Sequence, residues 1–408
     1  MAFQVRGAHP DDLPAVRDII SSAWENPEDE PALWDYIASA HPGFSPDAVR
    51  VAVAGGRPVA CAVVLPCRFR TTRGLVPGAE LTLVACRPEY RRRGYGGAVV
   101  RDALEYMAGR GLALAVFRGD PAFYGRFGGV PVLPGYRTTL EVAGLDAGTG
   151  PGPRLRLDDQ SDGQALRPVD EGDLRAVAAL YRWGLSAYML AASRPAEPWL
   201  WRVRNRRLHA LLALPDLAGY AFVSEAREAG ALIVREAAVA GVPGGGPSPG
   251  PAPQSAPGPV AASARRLLRG LIQEAAERGL GRLEIILPPD SLVARLAAAW
   301  GAGRICRPPK EGLGVVTLWE ALLPQGWQVV RGPGERADAI CGLALGGRMA
   351  LKVGPAVLTQ LVTGCLGIDD ALLAGQAELL GDQALDDLRA AFPGGYTCYF
   401  EAPYFFWL

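Results

Sequence analysis

Glu80-Leu-Thr-Leu-Val-Ala-Cys-Arg-Pro-Glu-Tyr-Arg-Arg-Arg-Gly-Tyr-Gly-Gly-Ala-Val-Val100 is the stretch that decides how this 408-residue chain is read. Leu81, Leu83 and Ala85 alternate with Thr82, Val84 and Cys86, a short β-biased run. Gly94-Tyr95-Gly96-Gly97 then opens an amphipathic pattern that predicts a helix running to about Arg110. A helix N-terminus carries unpaired N–H groups and the positive end of the helix dipole, and glycines leave those amides bare. With Arg91, Arg92 and Arg93 beside them, they suit a pyrophosphate.

Downstream, a second strand-like run, Ala113–Phe117, leads into Asp120-Pro-Ala-Phe-Tyr-Gly-Arg-Phe-Gly128. The spacing Arg91-x-x-Gly94-x-Gly96, followed at this distance by the second motif, closely resembles the acetyl-CoA site of GNAT N-acetyltransferases. Upstream, Phe3 to Arg6 reads as a first strand, and His9-Pro-Asp-Asp12 caps a helix whose apolar face is Leu13, Val16, Ile19 and Ile20. Val49 to Ala54, the Gly55-Gly56 turn and Pro58 to Arg70 read as a hairpin. A last strand from about Pro131 to Val142 is expected to close the domain, which gives the element order of a GNAT fold. Between Trp24 and Tyr36, Glu25, Glu28, Asp29, Glu30 and Asp35 interleave with Trp24 and Trp34. This is either a mouth that attracts a cation through charge and aromatic faces, or a solvated helix face over core tryptophans.

The bulk properties bound the remainder. A chain of this length holds two or three domains, and with 49% hydrophobic residues it has material for sizeable cores. Forty-two basic and 42 acidic residues cancel, which argues against nucleic acid or a membrane surface as the main partner. The seven cysteines are scattered without a C-x-x-C pair, so neither a disulfide framework nor a metal site is expected. Met1 to Arg6 lacks the apolar core of a signal peptide and no stretch approaches ~18 uninterrupted apolar residues, so a cytoplasmic protein is expected. His9, His41 and His209 read as structural or surface residues and Cys86 as a core thiol rather than a nucleophile.

Gly144 to Gly163 reads as a linker, after which Leu166-Arg-Pro-Val-Asp-Glu-Gly-Asp173 and the helical pattern Leu174, Val177, Leu180, Tyr181 repeat the opening of the chain. This is a second, divergent copy of the same unit. Its central run, Ala231 to Ala240, leads into a Pro/Gly/Ser stretch, Gly241 to Pro259, without the basic glycine turn, so this copy is expected to be noncatalytic. Helix Ala262 to Arg278, strand Arg282 to Leu287 and helix Ser291 to Trp300 complete it. From Arg304 the pattern changes: Gly314–Glu320, Ile340–Leu345 and Arg348–Val353 read as strands, and Pro355–Val362 and Asp382–Phe392 as helices. The aromatic tail Tyr396–Leu408 is expected to be buried.

Taken whole, the chain resembles the Eis (enhanced intracellular survival) family of bacterial acetyltransferases, strongly over Leu81–Gly128 and by architecture elsewhere. The resemblance implies an α/β fold of three parts: a catalytic GNAT domain over 1–150, a degenerate GNAT domain over 160–304 and a sterol-carrier-protein-like α+β domain over 305–408. It further implies acetyl-CoA as co-substrate with no metal, a primary amine as acceptor (aminoglycoside, polyamine or lysine side chain), and a hexamer. In that family the tyrosine matching Tyr124 protonates the departing CoA thiolate. The C-terminal carboxylate, here that of Leu408 with Glu401 as rival, helps deprotonate the amine, and a tryptophan matching Trp34 lines the substrate site. The cofactor set read here is the backbone of Val84, Ala85 and Cys86 for pantetheine and Arg91–Gly97 for the pyrophosphate; Glu25 and Trp34 form the substrate set. Two other readings remain: a lipid-binding protein using residues 305–408, and a scaffold that binds acetyl-CoA without turnover.

Overall fold

The computed structural model describes residues 3–23, 29–41, 43–142, 165–184, 188–193, 199–200, 203, 209–240, 258–331, 340–380 and 384–392. In chain order the elements are β1 (Gln4–Gly7), α1 (Leu13–Ala23), α2 (Asp29–Ala40), β2 (Val49–Ala54), β3 (Arg57–Thr71), β4 (Gly74–Cys86), α3 (Tyr95–Gly109), β5 (Leu114–Arg118), α4 (Pro121–Tyr124) and β6 (Val130–Glu141). Next come β7 (Arg167–Pro168), α5 (Leu174–Gly184), β8 (His209–Ala213), β9 (Gly219–Ala226), β10 (Ala231–Val239), α6 (Gly258–Glu277), β11 (Arg282–Ile285), α7 (Leu292–Ala299) and β12 (Gly303–Val316). The last segment holds β13 (Trp327–Arg331), β14 (Ile340–Leu345), β15 (Arg348–Val353), α8 (Pro355–Val362), α9 (Ile368–Leu373), β16 (Ala377–Leu379) and α10 (Leu385–Ala391). They gather into two compact units, one made of residues 1–133 with 309–395, the other of residues 134–308.

In the first unit the strand order is β1-β2-β3-β4-β5-β12, antiparallel except for the parallel β4–β5 pair. Apolar side chains at i, i+3 and i+4 make α3 amphipathic, and it buries Val99, Val100, Ala103 and Met107 on Ala60, Ala62, Val64, Ala79, Leu81, Ala115 and Phe117. Each fully buried side chain of this size contributes about 1.5–3 kcal/mol, which makes this face the anchor of the strand that carries the glycine turn. On the opposite face α1 packs against β3 and β4 with Val16, Ile19 and Ile20 buried. The helix begins where the sequence places its cap: Asp12 accepts from the His9 amide at 2.8 Å and from Arg6 Nη1 at 2.6 Å.

The second unit has the order β6-β11-β10-β9-β8-β7, with β10 and β11 parallel. Its opening repeats that of the first: Asp173 accepts from the Asp170 amide at 3.1 Å and from Arg167 Nη1 at 2.6 Å. Helix α6 buries Ala264, Leu267, Leu268, Leu271 and Ile272. Within the first unit the segment after β12 forms a four-stranded sheet, β13-β14-β15-β16, and packs with the rest of that unit in a core where Trp319, Leu322, Leu358, Leu361 and Phe392 meet Val76 and Ala113.

Two strands depart from the sequence reading. The strand expected to close the first domain, β6, pairs Thr138–Glu141 with β11 in the second unit. The outer edge of β5 is taken instead by β12, Gly312 to Val316 against Arg118 to Leu114. Strand periodicity reports which residues face a core, not which edge they pair with, so this exchange was invisible in the pattern. Gly314 makes it sterically possible, since a side chain there would come within 3.0 Å of Val132 Cγ2.

Candidate active site

The site grows from a fault in β4. Cys61 pairs with Ala85 and Val63 with Thr82, so β4 holds one residue more than β3 between these points. Leu83 absorbs the excess with a positive φ of 47°, costly for a branched side chain; its burial at 1% exposure holds it there. On the other edge, β4 pairs with β5 only from Gly78–Leu114 to Glu80–Val116. Beyond that point the two strands part. Backbone groups of Leu81 to Cys86 on that edge face no strand among the described residues, which leaves N–H and C=O groups for a ligand that runs alongside.

The parted edge opens onto the turn. Gly94 adopts φ 90° as N-cap of α3 and offers no side chain to the helix amides. Those of Tyr95, Gly96 and Gly97 therefore remain available to an anion. Arg92, itself left-handed at φ 61°, and Arg93, over the Tyr90 ring at 5.7 Å, are exposed around the turn. Arg91 has a different setting: its guanidinium donates to the carbonyls of Cys86 (3.4 Å) and Ala23, tying the turn to the end of α1. The Tyr95 ring is buried at 4% exposure against Phe3 and Tyr90, so this residue can meet a ligand only through its amide.

The second motif closes on the first. Asp120 caps α4 by accepting from the Ala122 amide at 2.9 Å, with Pro121 at the first helical position. This short turn projects three aromatics. The Phe127 ring lies where a side chain on Gly97 would meet it at 3.2 Å, and the Phe123 ring lies 3.9 Å from such a position at Gly96. Tyr124 packs between Phe117 of β5 (4.6 Å between ring centres) and Phe123 (4.8 Å), in one cluster with Val84 and Cys86. Burial pushes the Tyr124 hydroxyl up to about 12, so the phenol holds its proton at neutral pH. Burial also raises the Cys86 thiol, with Arg91 pulling the other way, and Cys86 stays a thiol.

The structure thus brings together Val84, Ala85, Cys86, Arg91–Gly97 and Tyr124, two motifs that lie almost 30 residues apart. Trp34, in α2, is 2% exposed and meets the Phe44 ring at a T-shaped angle, 6.1 Å between centres. Glu25, Glu401 and Leu408 lie outside the described residues. Gly119 went unnoticed in the sequence. A Cβ there would come within 2.3 Å of Tyr124 Cε2, so the tyrosine's place depends on it. A glycine before Asp-Pro reads as an ordinary turn, and no local signal separates the two roles.

Residues 4–129 match the model of an acetyltransferase (GNAT) domain. Solved structures of the same fold include a GCN5-related N-acetyltransferase from Anabaena variabilis (13% identity, 97% of this chain and 99% of that one, TM-score 0.68). Eis1 from Mycobacterium abscessus is similar at 16% identity over 98% of this chain and 99% of its own, with a TM-score of 0.65. A GCN5-related N-acetyltransferase from Kribbella flavida matches at 17% identity over 98% and 100%, with a TM-score of 0.66. At such identities the likeness concerns the fold. No curated protein matches the chain. The match over residues 4–129, to a GNAT acetyltransferase domain, supports an acyltransferase enzyme. No helix among the described residues is long and apolar enough to cross a membrane.

Proposed function

We propose that the chain transfers acetyl from acetyl-CoA to a primary amine of a cationic small molecule, aminoglycoside-like or polyamine-like, or of a lysine side chain. One observation carries the reading: a bulged strand that parts from its parallel neighbour leads straight into an uncapped, arginine-flanked helix N-terminus, with Tyr124 packed beside it. The pantetheine arm runs along the free edge of Val84, Ala85 and Cys86, and the pyrophosphate rests on the amides of Tyr95 to Gly97 with Arg92 and Arg93 around it. An N–H of the same edge near Cys86 meets the oxyanion as the amine attacks. Tyr124 gives its proton to the departing thiolate, a role that fits a phenol protonated at neutral pH.

The amine must shed a proton before it attacks; by resemblance to the Eis family the Leu408 carboxylate accepts it and Trp34 lines the substrate side, with Glu25 beside it in the acidic, aromatic run Trp24–Tyr36. The same resemblance carries the division into a catalytic GNAT domain, a degenerate one and a sterol-carrier-like domain, and a hexameric assembly. The test is free-thiol release from acetyl-CoA with a panel of aminoglycosides, polyamines and lysine peptides. Turnover with cationic amines supports the reading. Tight acetyl-CoA binding without release from any amine would turn the chain into a binding scaffold.

A further inference from the structure

A hydroxyl lies buried and unused beside the opening of β4. Thr82 stands two residues past Glu80–Val116, the last pair that joins β4 to β5. It is 3% exposed, and its Oγ1 has no hydrogen-bond partner. Its cross-strand neighbour on β3 is Val63, whose side chain can offer none. A buried hydroxyl without a partner forfeits the bonds it makes to water in the unfolded chain, a loss that an apolar side chain of the same shape avoids. Valine is such a side chain, and the strand is otherwise apolar here, with Leu81, Leu83, Val84 and Ala85 flanking Thr82. The loss is recovered when a ligand supplies the missing partner.

The sheet fixes the side from which that ligand comes. Neighbours along a strand alternate between faces. Leu81 belongs to the face under α3, with Val84, Cys86 and Tyr124 packed against the same cluster, so Thr82 looks to the opposite face, where α1 packs on β3 and β4. In the proposed reaction the thioester lies along the free edge of β4 and its sulfur leaves toward Tyr124. The nitrogen then arrives from the other side, that of Thr82. Segment 167–299 shows a comparable setting closed. Its β10 parts from β11 after Val234–Ile285, and the next polar side chains are bonded within the sheet: Arg235 Nε donates to Ser224 Oγ at 2.9 Å, and the Tyr220 hydroxyl to Glu236 at 2.6 Å. Among the described residues of these two strands, the hydroxyl without a partner belongs to the one that leads into the glycine turn.

We infer that Thr82 sets a preference for primary over secondary amines, its Oγ1 accepting a hydrogen bond from the acceptor nitrogen. This rests on the proposed acetyltransferase reading. A neutral primary amine carries two hydrogens. As its lone pair forms the C–N bond and the C–S bond breaks with its electrons on sulfur, one hydrogen leaves as a proton to the base. The thiolate takes the proton of Tyr124, and the proton on the base restores the phenol. The other hydrogen stays on nitrogen as the amide N–H, and Thr82 holds it throughout, which keeps the lone pair aimed at the carbonyl. A secondary amine has a single hydrogen and must give it up, so nothing remains for Thr82 to hold.

The test follows thiol release from acetyl-CoA by the full chain, Thr82→Val and Thr82→Ser. The acceptors are an alkyl diamine and the same diamine methylated once on each nitrogen, with acetyl-CoA affinity and melting temperature measured alongside. Thr82→Val should lose about tenfold in kcat/KM with the primary diamine. With the methylated one it should stay within about twofold of the parent, read as turnover or, failing that, as the inhibition constant. Acetyl-CoA affinity should stay within about twofold, and the melting temperature should hold or rise, because an unpaired buried hydroxyl has been removed. Thr82→Ser should keep the parent's ratio between the two amines. A role confined to packing predicts a lower melting temperature and equal losses on both acceptors. Equal losses, or an unchanged ratio in Thr82→Val, would overturn the assignment. If Thr82→Val does not fold, Thr82→Ala replaces it and must show the same fall in the ratio; a parental ratio there also overturns it. Absence of turnover by the unaltered chain on every primary amine would instead defeat the acetyltransferase reading itself, and Thr82's role with it.

Discussion

Residues 4–129 and the segment 167–299, which the sequence reads as a second copy of the same unit, share their frame and differ in their chemistry. Each opens with an arginine reaching six residues ahead to an aspartate that caps the first helix, Arg6–Asp12 and Arg167–Asp173, both at 2.6 Å. Each has a bulged central strand that separates from its parallel neighbour. The segment after that strand differs. The first copy continues into Arg91–Gly97, the second into Gly241–Pro257, a stretch without a single charged residue. After the parallel strand the first copy has Gly119, the Asp120 cap and Tyr124 four residues on. The second caps α7 with Ser291, whose side chain accepts from Ala294, and has Arg295 at the equivalent step. A parted strand is therefore a property of the fold. Cations, bare amides and a half-buried phenol make one of the two openings the candidate site.

The contrast is broken most directly at Tyr124. If the first copy alone turns over, Tyr124→Phe should lower kcat by about 10²–10³-fold and leave acetyl-CoA affinity nearly unchanged, because the ring keeps its packing against Phe117 and Phe123 and loses only the proton donor. Steady-state kinetics with calorimetric binding checks this. A variant as fast as the parent would remove the main chemical difference between the copies.

Gly119→Ala should have the next largest effect. The added methyl would sit 2.3 Å from the Tyr124 ring, which two aromatic neighbours keep from swinging aside, so the hydroxyl must shift by an ångström or so. Displacement on this scale costs about 10²-fold in rate. Melting temperature should move little, since Gly119 is at a strand end and has no positive φ. Loss of stability in proportion to loss of rate would show that Gly119 matters for folding rather than for aiming the tyrosine.

How far these features were legible in the sequence depends on the range of the forces behind them. The glycine turn, the Asp12 and Asp173 caps and the α3 face are local patterns, and they stand in the structure as read. Leu83's left-handed backbone, the end of β4–β5 pairing at Glu80 and the exchange of β6 and β12 depend on partners far along the chain, where residue periodicity is silent. Tyr124 stands out in the sequence because its motif is distinctive; Gly119 does not, because it looks like an ordinary turn residue until its neighbours are known.

The arginines of the turn should sort by their contacts. Arg92 and Arg93 are exposed, so replacing both with Gln should raise the KM for acetyl-CoA about tenfold, and the difference should shrink in high salt as the anion is screened. Arg91→Gln should raise KM too and also lower the melting temperature, because its guanidinium bonds join the turn to α1. An unchanged KM in the double variant at low salt would leave the pyrophosphate to the amides alone and make the turns of the two copies more alike than their charges imply.

The smallest effect tests what the copies share. Arg6 holds the Asp12 carboxyl below its ordinary value of 3.8, and Arg167 does the same for Asp173, each mainly through the side-chain hydrogen bond. A carboxylate whose folded value is depressed adds stability that is complete above the ordinary value and fades as the pH falls through the lowered one. At pH 7, Asp12→Asn and Asp173→Asn should each cost about 1 kcal/mol, roughly a fivefold change in the folding equilibrium. Denaturant titrations of each variant beside the parent should show the gap closing below pH 3.8 in both. If only Asp12→Asn responds, the second cap has ceased to support its copy, and the duplication survives there as geometry without energy.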